Sequence, residues 1–129
     1  MLAHGYQIEI DGKSIDLLLN TEALAAIVEK WGGIDEAIEQ SYSDRIRVVP
    51  ELLSILANAA EEYKDSDQRI TPKWISVHTT PGDYQMITEA INETYARGMH
   101  VEIPAPENGE ETDEVLEELS KNGQCAAGT

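Results

Sequence analysis

The tightest constraint on the fold lies in the first twenty residues. Tyr6, Ile8 and Ile10 alternate with Gln7 and Glu9, and after Asp11-Gly12 the residues Ile15, Leu17 and Leu19 alternate with Asp16 and Leu18. Period-two alternation marks a strand with one buried face. Asp-Gly between two such runs favours a type I′ turn, which needs positive φ at both central positions. The pattern predicts strands over residues 5–10 and 13–19. A two-stranded ribbon is marginal alone in water, so the rest of the chain has to cover its apolar face.

The following segments read as helices. Asn20 or Thr21 can cap a helix over about 21–31, with Leu24, Ile27, Val28 and Trp31 at helical spacing and Gly32-Gly33 as its stop. A short helix over about 34–40 carries Ile34, Ala37 and Ile38 on one face, and Ser41 to Asp44 reads as a loop with Ser43 or Asp44 free to cap. The segment from Ile46 to Tyr63 has the widest apolar face and is expected to be the central buried helix. Pro50 is best tolerated in a first turn, which puts the start near Val48 or Val49 and the helix over about 48–63. Lys64 to Arg69 reads as a loop. Thr71-Pro72 opens a helix over about 72–79, with Trp74, Ile75 and Val77 expected inside. Thr80-Pro81 opens the last, over about 81–97, with Tyr84, Ile87, Ile91 and Tyr95 as its stripe and Gly98 as its expected C-terminal cap.

Composition divides the chain. Ile, Leu and Val supply 29 of 129 residues, close to the level at which chains no longer fold, but 24 of the 29 lie in residues 1–99. Residues 104–129 hold seven acidic side chains and one lysine, with Val115, Leu116 and Leu119 as their only large apolar groups. Such a segment buries too little surface to offset its ordering entropy. The expected architecture is therefore α+β and mostly α. An N-terminal β-hairpin packs on a compact bundle of four to five helices in one domain (residues 1–103), followed by a disordered acidic tail (104–129).

The net charge is −16, with 17 acids and 8 bases in residues 1–99 and 8 acids and 1 base in residues 100–129. That balance argues against nucleic acid and against an anionic membrane as partners. No apolar run approaches the roughly 20 residues that span a bilayer, and no basic-then-apolar start reads as a secretory signal. The single cysteine, Cys125, cannot form an internal disulfide, so a reducing compartment is the default.

The search for chemistry finds no specific grouping. His4, His78 and His100 lack metal-site spacing. His78 reads as a surface or end-of-helix residue. Asp65 and Asp67 resemble the start of a calcium loop, but Ile70 and Ser76 stand where its glycine and glutamate belong. The acidic pairs Asp35/Glu36, Glu61/Glu62, Glu110/Glu111 and Glu117/Glu118 read as solvated surface. Gly32-Gly33 lacks the further glycines and lysine of a phosphate loop. No catalytic, cofactor-binding or metal-binding residue is expected, and no cofactor. Trp31 is expected to fill the core, while Trp74 suits either core or interface.

The order of these features resembles the tail assembly chaperones of long-tailed bacteriophages and prophages. The likeness runs over residues 5–100. It rests on the hairpin from Tyr6 to Leu19, on Thr21-Glu22-Ala23-Leu24, on Ile27 with Trp31-Gly32-Gly33-Ile34 and Ala37-Ile38, on the aliphatic helix, and on the Thr-Pro start with a last striped helix. The resemblance implies a non-enzymatic protein of the host bacterial cytoplasm. It would bind and solubilise the tape measure protein and help recruit tail tube subunits, as a monomer or homo-oligomer. It implies no catalytic residues and fixes no contact motif. From the residues themselves, the expected client contacts are Trp74, as an interface anchor, and Tyr84 and Tyr95, in a groove formed by the hairpin's outer face and stripe residues left exposed on the last helix. The tail is expected to act as a solubilising brush. An acidic regulator or decoy for a basic partner, and a structural head or tail subunit, are the alternative readings.

Overall fold

The computed structural model describes residues 2–101, and the expected tail lies outside the described residues. Strands β1 (Tyr6–Ile10) and β2 (Lys13–Leu17) form an antiparallel hairpin. Tyr6 pairs with Leu17, Ile8 with Ile15 and Ile10 with Lys13. Asp11 and Gly12 both take positive φ, 52° and 81°, as the Asp-Gly turn requires. Ile8, Ile10, Ile15 and Leu17 are buried on one face, while Gln7, Glu9, Ser14 and Asp16 form the other.

Five helices follow: α1 (Thr21–Trp31), α2 (Ile34–Ser43), α3 (Arg45–Tyr63), α4 (Pro72–His78) and α5 (Tyr84–Met99). A 3-10 turn at Pro81–Asp83 leads into α5. The central element is α3, which packs on β2, α1, α2, α4 and α5. Its Val49, Leu52, Leu53 and Leu56 join Leu17, Ile27, Ile75 and Ile87 in the core. The Leu18 amide donates to the Leu56 carbonyl at 3.1 Å, tying the end of the hairpin to α3. The Asn58 side chain donates to the Ile70 carbonyl and accepts from the Ile70 amide, at 3.0 and 2.7 Å, and so fixes the connection to α4. Asn20 caps α1 and Thr71 caps α4, each side chain accepting from an amide three residues on.

Several expectations need correction. The predicted loop over 41–44 is mostly helix: α2 runs on to Ser43, and only Asp44 separates it from α3. The Ser41 and Ser43 hydroxyls return to the Ile38 and Gln40 carbonyls, which lets serines end a helix instead of leaving it. Consequently α3 begins at Arg45, three residues earlier than Pro50 alone would place it. The Asp44 carbonyl accepts from the Val48 amide at 2.9 Å, and its carboxylate pairs with Arg47. Pro50 then sits in the second turn, where burial offsets the bond it cannot donate. Val77, Ile46 and Tyr63 are exposed, not core. Val77 stands two residues from the buried Ile75, on nearly the opposite side of α4.

Gly98 does not cap α5. The helix passes through it to Met99, and His100 takes the left-handed position with φ 59°. A Cβ at Gly98 would lie 2.4 Å from the Leu19 carbonyl oxygen, so glycine is there to let α5 meet the chain leaving β2.

Candidate functional site

Gly32 adopts φ 100° and turns the chain from α1 into α2, setting the first turn of α2 beside the end of α5. Both helices pack on α3. Between them remains a groove of about 570 Å³, open to solvent. Its α2 wall is Gly33, Ile34, Asp35, Glu36 and Ile38, and its α5 wall is Asn92, Tyr95, Ala96 and Met99, with Val101 at the rim. The lining is predominantly apolar. Met99 is 51% exposed and Val101 62%, so the α5 side of the groove presents apolar surface to water. Asp35 and Glu36 stand exposed at the edge, and neither belongs to an ion pair among the described residues.

The structure does not gather the three expected contact residues. Tyr84 and Tyr95 are each only 6% exposed and belong to the core, so neither stands out on the surface. The period-3.6 stripe that marked them is the buried face of α5. Tyr84 lines a smaller depression with Arg45, Ile46, Pro81, Gly82 and Gln85. Tyr95 forms part of the wall of the main groove. Burial pushes both phenols above their ordinary value of 10.0. The Tyr95 hydroxyl is enclosed and has no hydrogen-bond partner among the described residues. Trp74 is half-buried on α4 and belongs to neither cavity, its ring stacked on His78 at 4.2 Å. The outer face of the hairpin is polar, so the groove does not run there.

The residues that sequence reasoning missed are Met99 and Val101, with Ile34 and Ile38 across from them. Taking Gly98 as the end of the helix removed Met99 from the apolar pattern of α5. Ile34 and Ile38 were placed on one face of α2, but only three dimensions reveal that this face both touches the core and borders a cleft.

Polar groupings elsewhere are structural. Lys64 bridges Asp16 at 2.9 Å and Glu61 at 3.4 Å, while Gln7 also donates to Asp16 at 2.9 Å. His78 Nδ1 lies 2.9 Å from the Trp74 carbonyl oxygen at the end of its helix. His4 and His100 stack with ring centres 4.4 Å apart. Among the described residues no group of three or more His, Cys, Asp and Glu side chains is placed to hold a metal ion. None of the described helices is long and apolar enough to cross a membrane.

No family model, curated protein or solved structure matches the chain.

Proposed function

We propose that this protein is a non-enzymatic binding protein that holds an apolar segment of a client, and that its client is the tape measure protein of a long-tailed phage, with the tail tube subunit recruited afterwards. The observation that carries the reading is the open apolar groove between α2 and α5 on a strongly acidic chain. A holdase needs both properties: apolar surface for the client and enough like charge to remain dispersed while carrying it. The groove is open to solvent and lined mainly by apolar side chains, which suits association with an apolar segment.

Co-expression tests the reading. The tape measure protein should remain in the soluble fraction and co-purify with this chain, and should precipitate when expressed alone. A tape measure protein that is equally insoluble in its presence, with no co-purification, would overturn the proposal.

A further inference from the structure

The groove carries a chemical signature that specifies its occupant. Its apolar lining comes from Ile34 and Ile38 on α2 and from Ala96 and Met99 on α5. The charged groups on its walls are Asp35 and Glu36, and among the described residues no lysine or arginine lines it. Four of the domain's bases, Lys30, Arg47, Lys64 and Arg97, are engaged with carboxylates elsewhere. Residues 1–99 carry 17 acids against 8 bases, so the domain as a whole attracts cationic partners.

We propose that the groove receives one amphipathic helix of a protein partner, with an apolar stripe at i, i+3, i+4 and i+7 flanked by lysine or arginine. This rests on the binding reading above and names the chemistry of the client segment. The apolar stripe covers Met99 and Val101, and the flanking cations meet Asp35 and Glu36. Charge complementarity rejects two other occupants. A second copy of this chain would bring its own acidic surface against the rim. The segment 104–129, with seven acids and one lysine, would do the same.

The test uses the full chain and two labelled helical peptides with the same leucine stripe, one flanked by lysines and one by glutamates. Fluorescence anisotropy should show the lysine peptide binding roughly tenfold or more tightly, with a preference that shrinks as salt rises. A lysine peptide with a scrambled stripe should bind much more weakly. Met99→Asp and Val101→Asp, both at exposed positions and therefore tolerated by the fold, should weaken the lysine peptide. The pair Asp35→Lys and Glu36→Lys should reverse the preference. Scrambled and striped lysine peptides binding alike, or a preference unmoved by the reversal, would overturn the inference. Thermal melts verify that each variant is folded.

The two proposals fail separately. Met99→Asp that still solubilises the tape measure protein removes the groove as its docking site and leaves the chaperone reading standing. Selective binding of the lysine peptide by a chain that never retains the tape measure protein does the opposite.

Discussion

Tyr95 and Gly98 sit one turn apart on α5, and sequence alone misreads both. Helical periodicity identified Tyr95 correctly as part of a stripe, but periodicity does not say which side of a stripe water sees. Glycine near the end of an apolar run is commonly a cap. Here the reason for Gly98 is the Leu19 backbone, a contact between segments far apart in sequence that no local rule contains. Tyr95 also yields a prediction. Its enclosed hydroxyl has lost water without gaining a partner among the described residues, which costs about 1–3 kcal/mol. Tyr95→Phe keeps the ring and removes the orphan group, so it should raise the stability of the protein by about 1 kcal/mol in urea unfolding. A loss of stability would instead mean that the hydroxyl is hydrogen-bonded through a water molecule.

At the scale of elements, what was legible depended on whether the signal was local. The hairpin register follows from alternation and Asp-Gly, and the ends of α1 and the start of α4 follow from Asn20, Gly32 and Thr71-Pro72. The boundary between α2 and α3 was not legible. Serines and a proline, all helix-breaking by propensity, are there overruled by back-bonding hydroxyls and by burial of Pro50. The connection from α3 to α4 is similar, since a polar run that reads as free loop ends in a clamp between Asn58 and the Ile70 backbone. Replacing Asn20, a partly exposed cap, by alanine should cost about 1 kcal/mol. Asn58→Ala should cost more, about 2–3 kcal/mol, because it strands both a donor and an acceptor beside the buried Ile70. Chemical denaturation of the two variants side by side checks the order. Equal losses would mean that the Ile70 backbone finds water when Asn58 is gone.

For the whole molecule, charge excess was the plainest message of the composition, but it could not reveal which charges are paired. Nor could it reveal the groove, which arises where two helices share a third and leave a gap between them. The pairing of Asp16 with Lys64 joins the hairpin to the far end of α3 and gives the fold a pH-dependent fastening. Burial pushes the Asp16 carboxyl up, but hydrogen bonds from Lys64 and Gln7, with the lysine's charge, pull harder and leave it below its ordinary 3.8. The bond to Asp16 likewise raises Lys64 above 10.5. A depressed carboxyl contributes stability that is complete above its unfolded value and is lost as pH falls through the folded one. A raised lysine contributes stability that is complete below its unfolded value and is lost as pH rises through the folded one. Acidification also relieves the repulsion among the other carboxylates, so the total stability curve mixes opposing trends. Subtracting a variant isolates the fastening. The stability gap between the native protein and Lys64→Met should be flat through neutral pH. It should close as pH drops below 3.8, and close again as pH climbs above 10.5. Urea midpoints measured across that range provide the gap. One that stays open in acid would show that Lys64 acts through the packing of its methylene stem, since methionine would then fail to replace it at every pH.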